Sequence, residues 1–152
     1  PEAHESEHCL EVELPFLQYH MKKLPSIVPI IIATQELTTL KKIADTLKPY
    51  LNEKNLFVIS SDFSHYPAYK DAEIVDGLTK DSIMTGKVEA FVNATLHNQE
   101  LGIDHLATSA CGMAPIATLL MMTENDAKIK PHHVMYCNSG DSPYGGKDKV
   151  VG

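Results

Sequence analysis

Ser26-Ile27-Val28-Pro29-Ile30-Ile31-Ile32-Ala33 is the stretch whose reading decides the fold class. It is a continuous apolar run rich in isoleucine and valine, the pattern of a strand buried on both faces. Pro29 has no N–H to give to a ladder, which points to a sheet edge or a bulge. Residues 56–60 read as a second short buried strand, and residues 134–137 open a third. Between these runs the periodicity changes. Leu37, Leu40, Ile43, Ala44 and Leu47 form an apolar stripe with Thr38, Lys41, Lys42 and Lys48 interspersed, which predicts an amphipathic helix over residues 37–51. Residues 72–84 and 88–96 predict two more helices separated by Thr85-Gly86-Lys87, and residues 111–122 a buried apolar helix with Pro115 near its first turn. Residues 5–24 read as a helix interrupted near Leu14 by Pro15. Strands alternating with helices predict an α/β fold, a mixed or mostly parallel sheet flanked by helices, as one domain over residues 1–152.

Composition narrows the function classes. Hydrophobic residues make up 43% and charged residues 22% of the 152, the balance of a folded globule. Net charge is -7 and the 13 Lys and Arg form no dense run, so no grip on a nucleic-acid backbone is expected. The longest apolar run is too short to cross a bilayer and no charged-apolar-small leader precedes it, so a cytoplasmic protein without a membrane partner is expected. Three widely spaced cysteines, Cys9, Cys111 and Cys137, fit neither a disulfide framework nor a paired zinc module. Pro1 in first position and the strand-like Lys149-Val150-Val151-Gly152 at the other end read as a chain cut at both ends.

Four places carry side chains suited to chemistry. His4-Glu5-Ser6-Glu7-His8 matches the HExxH pattern of zinc peptidases, set against a solvated helix start. His8 and Glu11, three apart, share a helix face, so the carboxylate can orient the imidazole as a metal ligand; a capping or surface histidine is the bland alternative. Asp62 and His65 leave a buried strand into a polar, turn-rich exit, where open sheets bind ligands. There histidine suits proton transfer and aspartate suits metal binding or fixing the histidine's tautomer, with plain loop hydrogen bonding as the alternative. Cys111 precedes a helix start, where the dipole favours a thiolate and hence a soft metal ligand; inert packing is the alternative.

Four ordered blocks covering nearly the whole chain bring these places together: EHCLEVELPFLQ over residues 7–18, ISSDFSHYPAYKDA over 59–72, ACGMAPIATLL over 110–120, and YCNSGD with GGKDKVVG over 136–152. In them the chain resembles the C-terminal part of the Memo family, named protein B of the AmmeMemoRadiSam system in bacteria and archaea. The resemblance implies a fold shared with class III extradiol dioxygenases and a metal site of two histidines and a cysteine. His8 matches the second histidine, Cys111 the cysteine, and Asp62 and His65 the neighbouring pocket residues. The first histidine belongs to an N-terminal segment that this chain lacks. Iron or copper is the implied metal, with zinc behind them, and with only part of the ligand set present the site is expected to hold metal weakly or not at all. The implied activity is a metal-dependent, dioxygenase-like oxidoreductase acting on a small organic substrate. The alternatives are a non-catalytic binding or adaptor module taking a peptide or protein in the same pocket, and the zinc peptidase. A homo-oligomer, or association with the lacking N-terminal segment, is the expected way of covering an exposed sheet edge.

Overall fold

The computed structural model describes residues 2–5 and 7–152. Among the described residues six α-helices carry the architecture: α1 (Glu2–Glu5), α2 (Leu14–His20), α3 (Leu37–Leu47), α4 (Tyr69–Met84), α5 (Val88–Glu100) and α6 (Met113–Thr123). Helices α3, α6, α5 and α4 pack side by side in that order. α6 is apolar on nearly every side and lies inside, burying Ala114, Ile116, Ala117, Leu120 and Met122. Leu40 from α3 and Phe91 from α5, both without solvent exposure, close over it. Each such large side chain contributes about 1.5–3 kcal/mol of burial. α4 is tied to α5 through Asn98, whose Nδ2 donates to the Val75 carbonyl (3.3 Å) and to Thr79 Oγ1 (3.0 Å).

The helices follow the sequence periodicity closely. α3 ends at Leu47 and tightens into a 3-10 turn at Lys48–Tyr50, with Pro49 in its first turn. Gly86, at φ +68°, lies between α4 and α5. The N-terminal stretch breaks earlier than predicted. α1 ends at Glu5, a 3-10 turn covers Glu11–Glu13, and Pro15 sits in the first turn of α2, where a missing N–H is one that the helix would leave unpaired in any case.

The predicted sheet does not form. Among the described residues there is no β-strand, only isolated antiparallel bridges from His65 to Thr108 and to Val151. The chain is therefore mostly helical, and both the α/β reading and the extradiol dioxygenase-like fold implied by resemblance are overturned. The physical reason lies in the three apolar runs. A strand needs a neighbouring backbone to take up its N–H and C=O groups. Among the described residues no backbone hydrogen bond joins residues 26–33, 56–60 or 134–137 to another segment. Ile32 and Ile59 still rest against the helical core, while Val28 is 79% exposed and Val134 95% exposed.

Candidate functional site

The bridges around His65 mark the best-knitted irregular part of the molecule. The chain leaving residue 61 is stitched on one side to the last residues and on the other to the segment before α6. Phe63 N–H donates to the Gly152 carbonyl (2.7 Å), Gly152 N–H to Ser64 (2.9 Å) and Tyr66 N–H to Val150 (2.7 Å). On the other side His65 N–H donates to Thr108 (3.1 Å), Ala107 N–H returns to His65 (3.0 Å), and Cys111 N–H donates to Asp62 (3.1 Å). Tyr66 completes the loop in the left-handed region, φ 74°, a conformation costing a non-glycine residue about 1–2 kcal/mol. Its ring lies 5.5 Å from that of His65.

This stitching brings together Asp62, His65 and Cys111, whose ligand atoms all lie within 4.8 Å of one another. His65 Nε2 is 3.5 Å from Asp62 Oδ2; it is buried and has no hydrogen-bond partner among the described residues. Cys111 Sγ accepts the Asp62 N–H at 3.2 Å. Ser61 holds the two segments in register: its hydroxyl donates to the Asp62 carbonyl (2.7 Å), accepts the Gly112 N–H (2.8 Å) and lies 3.8 Å from Cys111 Sγ. Gly112 is required by this approach, because a Cβ there would stand 2.6 Å from Ser61 Cβ and 2.9 Å from the Ser60 carbonyl oxygen.

An imidazole nitrogen, a carboxylate and a thiol in one small volume fit a borderline or soft divalent metal, and an orphaned buried nitrogen is what such an ion would satisfy. Asp62, His65 and Cys111 can therefore chelate a metal. Two apolar clefts, of about 210 and 250 Å³, lie elsewhere, one along α3, α5 and α6 and the other beside α3, and include none of these three residues.

His8 lies outside this cluster of three. It is exposed, and its Nδ1 is 2.6 Å from Glu11 Oε1. The adjacent Cys9 thiol is pushed up to about 11, chiefly by burial, then by its hydrogen bond to Glu7 and by the charges of Glu7 and Cys111. The His4 to His8 pattern includes Ser6, which is outside the described residues, and α1 closes before His8. Sequence reasoning passed over Ser61 as a metal-site residue and missed Asp76, Tyr136 and Asn138 beneath the loop. The one available signal was the Asn138-Ser139-Gly140-Asp141 capping pattern, which forms here as a full capping box.

Comparison with known proteins assigns the chain to a family. The profile of the family described as Memo-like protein matches residues 1–152. The chain belongs to that family. It is 37% identical over 155 residues to a MEMO1 family protein of Aeropyrum pernix, covering 99% of this chain and 51% of that one. A MEMO1 family protein of Methanosarcina mazei is 30% identical over 153 residues, 99% of this chain and 54% of that one. One of Sulfurisphaera tokodaii is 30% identical over 154 residues, with 99% and 51% covered. This Memo-like chain thus spans about half the length of the curated relatives it matches. No solved structure matches it significantly. Among the described residues no helix is long and apolar enough to cross a membrane.

Proposed function

We propose that the cluster at Asp62, His65 and Cys111 is the centre of a metal-dependent oxidoreductase acting on a small organic substrate. The observation that carries this reading is the meeting of imidazole, carboxylate and sulfur within 4.8 Å, which sets Asp62 and His65 beside Cys111. In this reading Cys111 and His8 hold the metal, and Glu11 orients His8 through Nδ1, leaving Nε2 for the ion. Asp62 and His65 stand beside it. The carboxylate aligns the substrate, and the imidazole takes up or returns its proton at Nε2. When bound, iron or copper would supply one-electron chemistry and polarise a substrate oxygen.

Elemental analysis and oxygen uptake of the intact protein test this. His8→Ala and Cys111→Ala are expected to lose the metal, Glu11→Ala to weaken its binding by about 10-fold, and His65→Ala to keep the metal but lose turnover. An intact protein without metal or oxygen uptake sinks the reading, and zinc as the sole metal removes its redox part. Loss of metal in His65→Ala with none in His8→Ala would reassign the ligands to Asp62, His65 and Cys111.

A second reading is favoured by the unpaired backbone of residues 26–33 and 134–137, which offers N–H and C=O groups to an added peptide strand. It makes the chain a binding or adaptor module that takes a peptide or a second copy of itself. Retention of a partner that depends on His65, with no substrate consumed, would favour it over catalysis.

A further inference from the structure

Asp76 lies on α4 with no solvent exposure, and among the described residues no salt bridge neutralises it. A buried carboxylate is costly unless every lone pair is used to hold something in place. Its Oδ1 accepts the Ser64 N–H at 2.8 Å, and its Oδ2 accepts the Tyr136 hydroxyl at 2.7 Å. Tyr136 Oη in turn accepts the Asn138 Nδ2 at 3.2 Å, and the Asn138 N–H is bound by Asp141 Oδ2 at 2.9 Å. Gly152 passes directly over the carboxylate: a Cβ built on it would fall 1.8 Å from Oδ2. The same Gly152 donates its N–H to the Ser64 carbonyl at 2.9 Å.

Ser64 is therefore gripped from both ends, its N–H by Asp76 and its carbonyl by the residue lying over Asp76. It is also the residue just before His65 and two after Asp62. Any shift of Ser64 moves both side chains relative to Cys111, because the Asp62 N–H is the donor to the cysteine sulfur.

We infer that Asp76 is the positioning residue of the Asp62, His65 and Cys111 site, a buried anchor that fixes the loop through the Ser64 N–H and ties it to Tyr136. Among the described residues no hydrogen bond joins it to any of the three donor groups, and it acts on them through the backbone of Ser64. The inference rests on the proposed use of that site, so its test has one readout that needs no metal.

The experiment measures, on the intact protein, the alkylation rate of Cys111 by peptide mass and the affinity for cobalt(II) by absorption of its thiolate band. Asp76→Ala is expected to accelerate Cys111 alkylation several-fold and to weaken cobalt binding by about 10-fold, the usual cost of losing an outer partner of a metal site. Asp76→Asn keeps an oxygen for the Ser64 N–H and is expected to stay within about 3-fold of the parent in both readouts. Tyr136→Phe, which leaves Ser64 held but unties Oδ2, is expected to fall between them and stands in if Asp76→Ala does not fold. A lowered melting temperature with unchanged alkylation and cobalt affinity overturns the inference, as does an Asp76→Asn protein impaired like the alanine variant. If the parent binds no cobalt, the metal reading fails by itself and the alkylation rates still decide the role of Asp76.

Discussion

Residues 61–67 and residues 26–33 invert what their compositions suggest. The first stretch is polar and turn-rich, yet every residue from Asp62 to Pro67 takes part in a backbone hydrogen bond to a distant segment. The second is as strand-like as any in the chain, yet it makes none and leaves Val28 mostly in solvent. Order in irregular chain is thus set by which backbone lies alongside, and side-chain character settles it only where an element satisfies its own hydrogen bonds, as a helix does.

The largest effects that can break this comparison lie in the helical core. Leu40→Ala and Phe91→Ala are each expected to cost about 2–5 kcal/mol in chemical denaturation, since both side chains are fully buried against α6. A smaller but more local effect is expected at Gly112. Gly112→Val forces a side chain into Ser61 and should destabilise by about 1–3 kcal/mol while raising Cys111 reactivity. A variant of parental stability and reactivity would mean that residues 61 and 112 are not pressed together.

The pH dependence of Asp76 sharpens the comparison from the loop side. Burial pushes its carboxyl above the ordinary range, outweighing the bonds from Tyr136 and Ser64 that pull it down. The folded protein then holds this proton to higher pH than the unfolded chain, so the Asp76 contribution to stability declines as pH rises above the ordinary value of 3.8. Asp76→Asn removes that titration. The melting-temperature difference between variant and parent should therefore move in the variant's favour between about pH 4 and pH 7, and a flat difference would place the carboxylate in solvent.

The smallest effect is expected in the unpaired run. Val28→Ala should change stability by less than about 0.5 kcal/mol, and amides of residues 26–33 should exchange far faster than those of His65 and Gly152. A loss like that of Leu40→Ala would show that the run is covered in solution.

What could be read in the sequence follows the same division. The stripe from Leu37 to Leu47 and the Gly86 break specify helices locally, and the helices form there. The run at 26–33 has the composition of a strand but carries no information about its neighbour, and the sheet that it suggests needs a partner that is not found among the described residues. In the site, Asp62, His65 and Cys111 stood out because their residue types suit chemistry, and the resemblance to the Memo family joined them. Asp76 did not stand out, since a carboxylate on a mixed helix face reads as solvent-exposed. Its burial is created by Tyr136 and Gly152, far away in sequence, and no local pattern reports that.

The stitching of the loop also has a bearing on the order of assembly. Asp62 and Cys111 are 49 residues apart, and Asp76 and Tyr136 are 60 apart. Closing such loops costs chain entropy before any contact repays it, whereas α3 to α6 draw on contacts within a few residues. The Asp62, His65 and Cys111 groups should therefore meet only once the helices have packed, and a metal held there would report completed folding rather than trigger it.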